Sequence, residues 1–478
     1  MIGGYGRRRP VPRPKQTVPD GVIEPFEGRS VRTTSGWVGG RVYEPWHARP
    51  SIGNVRGEHV SDEGLTIRVD AADLASPVDL ASGGNGHGQW RCGAPISKAR
   101  WIRSSLVEHG GLDAQAEELP AAHLAVATAS GGLGRDAVYI LEMRARRSVP
   151  SPDEAACAPL DLQLRSYRHF PTRGKVTDLA EVRTAESCLV AAASSKGIVE
   201  IFSMNSERRK EAVMVLCQGG VMKQGESVVS VTLTEDTAGR LVALGSAGSM
   251  GVFDLETGAL LSSANDSSRM GFLCATSLEK SMVATGTACG RICLWDLRMN
   301  AMECAPATKL AFNLVHPHGD TRIRCMTADP ASFTFVMAGT FRGELVTWDR
   351  RKGSEPVVGG GASSTGLRDA RCLPVAQAIA HTGSIWDVRV VGNRPGTLLS
   401  AGEDGHALLW NYQTAAARRG SGGSLGPTDL WSGSISSSDV HILHKDQYSS
   451  CNSLDVAPNS NVLACASESG ILTLSLMA

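Results

Sequence analysis

LLSAGEDGHALLWN, residues 398–411, holds two apolar stretches parted by an acidic, glycine-containing turn, with a tryptophan near the end of the second. Leu398 and Leu399 read as one strand, Leu408 and Leu409 as another. Asp404-Gly405 reads as the hairpin turn between them, because such turns need positive φ and glycine adopts it without steric cost. A lone hairpin buries too little surface to be stable in water. The pattern must belong to something larger.

It recurs. HLAVATASGGLGRDAVYILEM, CLVAAASSKGIVEIFSM, RLVALGSAGSMGVFDL, MVATGTACGRICLWDL and FVMAGTFRGELVTWDR precede it, and VLACASESGILTLSL follows, which makes seven copies. From the second copy to the sixth, a glycine stands five residues before an aromatic: Gly197–Phe202, Gly248–Phe253, Gly290–Trp295, Gly343–Trp348 and Gly405–Trp410. The first copy has a longer turn, and the last has Ser475 at the aromatic position. Self-similarity of this kind marks a repeat architecture. Before each copy lies a stretch suited to a further strand: 96–103, 175–182, 227–234, 271–278, 323–329, 384–391 and 451–458. Most alternate apolar and polar residues with period two, as half-buried strands do. An outer strand follows in six copies, as in 161–170 and 373–381, but the seventh ends at SLMA. A ring of sheets leaves no open edge, so GQWRCG (88–93) is assigned as the missing outer strand.

The aromatic is often followed by aspartate, as in Trp295-Asp296, Trp348-Asp349 and Phe253-Asp254. On these features the chain resembles the WD40 family, in which each repeat is one four-stranded blade of a β-propeller. The expected fold is all-β, a single seven-bladed WD40 β-propeller over 88–478 with a disordered N-terminal arm over 1–87. In the sixth copy His381, Ser400, Asp404 and Trp410 stand where the resemblance implies a hydrogen-bonded set that locks a blade. Their expected role is structural. Cys289 and Arg342 replace the turn aspartate in two other copies, so apolar packing is expected to carry more of those blades.

Segments 144–159, 351–372 and 413–439 each join a third strand to a fourth, and 104–121 joins a first to a second. In a propeller both kinds of connection emerge on one face. Their Gly, Ser and Pro content reads as flexible loop. GRRRPVPRPK, within the arm, reads as a solvated basic tail, with a nuclear-import or nucleic-acid signal as the alternative.

Composition narrows the function. Lys+Arg 48 balance Asp+Glu 48, which argues against a dominant nucleic-acid field. No apolar run is long enough to span a bilayer, and the N-terminus has no secretory apolar segment. The Cys 12 are scattered without CxxC pairs and read as reduced thiols, not disulfides or zinc ligands. No HExxH or phosphate-loop motif occurs, so neither an enzyme nor a cofactor is expected.

Three pieces are more specific. ISKARW in blade one, AHTGSIWDVRV with EDGHALLW in blade six, and NSLDV in blade seven resemble, in the same order, the small WD-repeat nucleoporins of the Y-shaped outer-ring complex of the nuclear pore. The resemblance covers roughly residues 96–476. It implies a non-catalytic scaffold at the nuclear envelope that supports pore assembly, mRNA export and protein transport. Its partners would be other Y-complex nucleoporins, above all a helical-solenoid subunit of the short arm, with no small-molecule substrate, membrane insertion or direct nucleic acid. The alternative rests on Trp295-Asp296-Leu297-Arg298 and Trp348-Asp349-Arg350-Arg351, which match the WDxR motif of cullin-4 ubiquitin-ligase substrate receptors. On that reading Arg298 and Arg351 face the ligase adaptor.

Overall fold

Seven antiparallel sheets follow one another along the chain in a computed structural model. The structure describes strand pieces at 32–33, 36–37, 65–69 and 88–91 and then most of 94–477. It leaves out 103–121, 130–135, 148–159, 184–187, 205–211, 218–221, 235–238, 266–270, 299–307, 314–321, 353–375, 414–430, 432–438, 458–461 and a few single positions. The basic stretch GRRRPVPRPK and most of the four expected insertions lie outside the described residues.

Blade one comprises Ile96–Ile102, Ala122–Thr128, Ala137–Arg147 and Leu160–Pro171. Blade two comprises Val176–Arg183, Cys188–Ser194, Val199–Ser203 and the short Met214–Leu216. Val228–Leu233, Arg240–Gly245, Ser249–Asp254 and Leu260–Asn265 make blade three. Blade four is Phe272–Ser277, Met282–Thr287, Arg291–Asp296 and Thr308–Asn313. Ile323–Ala328, Phe335–Thr340, Glu344–Asp349 and Ala376–Ile379 make blade five. Blade six is Ile385–Val390, Thr397–Gly402, His406–Asn411 and Val440–Lys445. Blade seven takes Cys451–Val456, Val462–Ser467 and Ile471–Leu476 from the end of the chain and Gly88–Arg91 from before blade one.

Gly88–Arg91 pairs antiparallel with the third strand of blade seven, from Ile471↔Arg91 to Leu474↔Gly88. The last sheet therefore contains both ends of the domain. First strands of successive blades touch in one closed circuit, with blade seven against blade one. These first strands are the innermost, and they surround a central channel.

The sheets are packed face to face, so strands inside a blade are buried on both sides. Phe335–Thr340, Thr397–Gly402 and Val462–Ser467 are buried at every position. Between blades one and seven, Trp101, Leu124 and Leu141 pack with Val462, Ala464 and Leu474. Between blades one and two, Phe170 and Phe202 stack with ring centroids 4.8 Å apart. Each such side chain contributes about 1.5–3 kcal/mol when fully buried. The tight turns between second and third strands all lie on one face. The left-handed glycine is required there at Gly405 (φ 78), where a Cβ would meet the Asp446 carbonyl oxygen at 2.0 Å.

Three features depart from the sequence reading. In blade one the third and fourth strands pair from Ala137↔Pro171 out to Arg147↔Leu160, so the segment read as an insertion over 144–159 is partly strand. Leu65–Val69, inside the stretch read as an arm, adds a fifth strand to that blade, from Leu65↔Leu164 to Val69↔Leu160. Its sequence, LTIRV, alternates with period two, the local mark of a strand. Finally, within the segment read as a Gly/Ser-rich insertion over 413–439, Trp431 is fully buried and its Nε1 donates to Asp329 Oδ2 at 2.9 Å. The indole packs against Tyr412, 4.9 Å between ring centroids. Burying the large apolar area of an indole outweighs the entropy of fixing its side chain. Met1–Ala48 form a separate unit, in which Arg32–Thr33 pairs with Gly36–Trp37.

Candidate functional site

His381, just before the first strand of blade six, lies against Gly402 at the end of the second. A Cβ on Gly402 would sit 2.2 Å from His381 Nδ1, so glycine is what admits the ring. The ring bridges two strands: Nδ1 is 2.9 Å from Asp404 Oδ1 and Nε2 is 2.8 Å from Ser400 Oγ. Trp410 Nε1 donates to the same Ser400 oxygen at 2.9 Å. For a neutral ring the donors run one way only, because an indole nitrogen can only donate and a carboxylate only accept. Trp410 donates to Ser400, Ser400 to His381, and His381 to Asp404. Asp404 also accepts from the amides of Thr382 and His406. Burial pushes the Asp404 carboxyl up, but hydrogen bonds from His381 and His406 outweigh it and hold the group well below the usual carboxylate range. The structure thus brings all four residues into one chain. Their polar atoms serve each other, His381 is only 3% exposed, and the arrangement fastens a hairpin.

Other blades fasten the same turn differently. In blade four, Trp295 Nε1 donates to Thr285 Oγ1 at 2.8 Å, and Thr287 Oγ1 lies 3.1 Å from Cys289 Sγ. In blade three, Glu226 reaches over Gly245, where a Cβ would meet its carboxylate, and accepts from the amides of Lys223, Ala247 and Ser249 at 2.8, 2.6 and 3.2 Å.

A second polar system encircles the channel. Each first strand carries a bulge near its start, at Ser97, Thr177, Val229, Leu273, Arg324, Trp386 and Asn452. The residue after each bulge reaches the next blade at most junctions. Asp178 accepts from Ser230 Oγ and Val231 N, Ser230 from Ala275 N, and Cys325 Sγ contacts Ile385 O. At the junction of blades six, seven and one, Arg100 Nη1 donates to Asp387 Oδ2 at 2.7 Å and to Ser453 Oγ at 2.8 Å. Ser453 Oγ donates to Asp387 Oδ2 at 2.9 Å, and Trp101 N donates to Asp455 Oδ2 at 2.8 Å. Burial lowers the Arg100 pKa, but Asp387, then Asp455 and Asp178, raise it above the ordinary guanidinium value. Burial raises Asp387, while Arg100, Lys98 and Arg389 pull it well below the carboxylate range. Sequence reasoning missed this cluster, since Arg100 and Asp387 lie 287 positions apart.

The two WDxR arginines are on neighbouring blades, on the face opposite the tight turns. Arg298 Nε donates to Asp296 Oδ1 at 2.8 Å and its Nη2 to Oδ2, while the side chain stays 72% exposed. Arg351 clasps Asp349 the same way, at 3.0 and 2.7 Å, and is 54% exposed. Each fork is occupied by the aspartate of its own motif.

Residues 373–411 match the family model described as WD domain, G-beta repeat. The match supports the WD40 family. It begins at the outer strand of blade five and ends on the third strand of blade six, so one WD40 unit spans two blades and covers the whole His381–Trp410 set. Comparison with curated proteins gave no match. Among the described residues no group of three or more His, Cys, Asp or Glu side chains is placed to hold a metal, and no helix is long and apolar enough to cross a membrane. Cys217, Cys274, Cys325, Cys451 and Cys465 are free thiols. The string GGSLG, 422–426, fits the GxSxG pattern of serine hydrolases. It lies outside the described residues and well past the end of strand His406–Asn411, whereas a nucleophile elbow sits directly at a strand end.

Proposed function

We propose that the chain is a non-catalytic scaffold subunit of the Y-shaped outer-ring complex of the nuclear pore, supporting pore assembly, mRNA export and protein transport. A WD40 propeller suits a scaffold or receptor role, and propellers of this type are typically non-catalytic. One observation carries the finer reading. The three stretches that resemble the small WD-repeat nucleoporins meet in space: ISKARW supplies Arg100, SIWDVRV supplies Asp387 and NSLDV supplies Ser453 to a single buried cluster. Short matches far apart in the chain thus describe one piece of architecture, the junction where the ring closes. The partner on this reading is a helical-solenoid nucleoporin of the short arm, and the location is the nuclear-envelope rim.

Affinity purification of the full chain followed by mass spectrometry tests the proposal. Recovery of Y-complex nucleoporins supports it. Recovery of cullin-4 and its adaptor without them replaces it with the ligase-receptor reading, in which Arg298 and Arg351 meet the adaptor. The double variant Arg298→Glu, Arg351→Glu sharpens the choice. A scaffold bound over a broad surface should keep its rim localisation, because exposed rim charges contribute little. A ligase receptor should lose its adaptor, because like charges would then be juxtaposed at the interface.

A further inference from the structure

The seven bulge residues form a ring at the mouth of the channel on the tight-turn face, and all seven are half-buried. Six are neutral: Ser97, Thr177, Val229, Leu273, Trp386 and Asn452. Arg324 alone carries a charge. Its guanidinium lies over the indole of Trp386, the bulge residue of the next blade, 4.0 Å from the ring centroid. Beside it, Arg322 lies over Phe341 at 3.9 Å.

Arg324 differs from Arg100, an arginine inside another first strand. Arg100 is buried against Asp387 at 2.7 Å. Arg324 has no hydrogen bond or ion pair to any described residue, and its Nε is shut off from solvent without a partner. Glu403 is a carboxylate in its neighbourhood, and one oxygen of that group already accepts from Ser384 N at 3.1 Å. Burial, and with it the charge of Arg322, pulls the Arg324 pKa below its ordinary value. A desolvated cation with no ion pair among the described residues is an unfavourable arrangement that a fold retains at the expense of stability. Stacking covers the face of the guanidinium and burial covers Nε, which leaves the two terminal Nη groups as the binding edge, a pair of parallel donors that matches an oxyanion.

We propose that Arg324, set on Trp386 at the channel mouth, binds an acidic side chain, a carboxylate or a phosphorylated residue, on an extended peptide segment of a partner protein. Trp386, Phe341 and Leu273 supply apolar contact on either side of the charge, which suits a peptide with an apolar residue next to the acidic one. A nucleic acid would call for a broad basic surface, and the chain has a formal net charge of +0. The site is on the face away from Arg298 and Arg351, and it does not rest on the nuclear-pore reading.

The test uses the full chain and four fluorescent probes in polarisation titrations: a glutamate-rich peptide, a peptide with one central phosphoserine, the matching glutamine-rich peptide, and a single-stranded RNA of similar length. Saturable binding of at least one acidic peptide but not of the glutamine peptide is expected, and the tighter of the two acidic peptides names the source of the oxyanion. Arg324→Met should weaken that binding at least tenfold, and Arg324→Lys, which keeps the charge but not the flat two-pronged edge, should fall between. Lys196→Ala, on the same face but across the ring, should leave binding unchanged. The melting temperature of Arg324→Met should be no lower than that of the wild type, because no partner is orphaned, and this separates a binding role from a structural one. Three results would overturn the proposal: no saturable binding of either acidic peptide, equal weakening by Lys196→Ala and Arg324→Lys, or tighter binding of the RNA. Should Arg324→Met fail to fold, Arg324→Lys carries the comparison alone.

Discussion

Blade six and blade three meet the same requirement with different side chains. In both, the turn between the second and third strands must be tied to the start of the first strand, and in both a glycine ends the second strand to make room, Gly402 in one and Gly245 in the other. Blade six fills the space with an imidazole and passes the load along four residues to Trp410. Blade three fills it with the carboxylate of Glu226, which takes the turn amides directly, and its third strand carries Phe253, with no polar atom to satisfy. The propeller therefore demands a buried acceptor over the turn and an apolar wedge between blades. It does not demand histidine, serine, aspartate and tryptophan. The stretch that matches the family model, 373–411, contains all four of those residues, while the other blades keep the same shape without them.

The largest test of this equivalence is to remove both wedges. Trp410 is 3% exposed and packs with Phe335, Leu345 and Trp431 of the same cluster, and Phe253 is 3% exposed among Ile201, Val231 and Leu241. Truncating a buried aromatic to alanine typically costs about 3–5 kcal/mol. Trp410→Ala should fall at the upper end, because it also takes a donor from Ser400, and Phe253→Ala at the lower. Denaturant midpoints of the two variants check this. An unchanged midpoint for Trp410→Ala would place the tryptophan on a recognition surface instead of between blades.

The next test concerns the acceptors, and it depends on pH. Burial raises the Glu226 pKa, but hydrogen bonds from Ser249, Lys223 and Ala247 outweigh it, so the folded value lies below the ordinary one. Asp404 is shifted the same way. A carboxylate with a lowered folded pKa contributes stability at neutral pH, and the contribution fades as pH falls from about 4 toward the folded value. Glu226→Gln should thus lower stability by about 1–3 kcal/mol near pH 7, the usual loss when buried donors lose a charged acceptor. The gap to the wild type should narrow below about pH 4. A gap that stays constant with pH would mean that shape, not charge, matters at this position.

The same contrast shows which parts of the molecule could be read from its sequence. The seven blades were legible because glycine turns and period-two strands are local signals, each complete within a short stretch of chain. The His381–Trp410 set was legible because all four residues fall within one repeat. Glu226 was not, since a glutamate before a strand carries no local mark of what it will cap. Arg100 and Asp387 were hidden for a topological reason, as closing the ring joins residues 287 positions apart. Leu65–Val69 gives only a weak signal, because one short strand stands alone in a Gly/Pro-rich stretch. Trp431 carries no local signal, because the sequence around it has no strand or helix periodicity, and its partners Asp329 and Tyr412 lie in other segments. Local grammar gives the blades, and what ties them together is largely non-local.

The smallest effect is also the sharpest. Trp410→Phe gives blade six the aromatic of blade three while leaving His381, Ser400 and Asp404 in place. The lost indole donor removes one hydrogen bond to Ser400 Oγ, but that oxygen keeps its bond to His381 Nε2, so no buried polar group is orphaned. A net loss of about 0.5–1.5 kcal/mol is expected for a single hydrogen bond without an orphaned partner, with a further small loss from the smaller ring. The readout is the denaturant midpoint beside that of Trp410→Ala. If the two blades are equivalent solutions, Trp410→Phe should recover most of the stability that alanine loses. A loss as large as that of Trp410→Ala would show that the four-residue chain in blade six acts as a unit, and that an acceptor over the turn with a plain wedge, sufficient in blade three, does not suffice there.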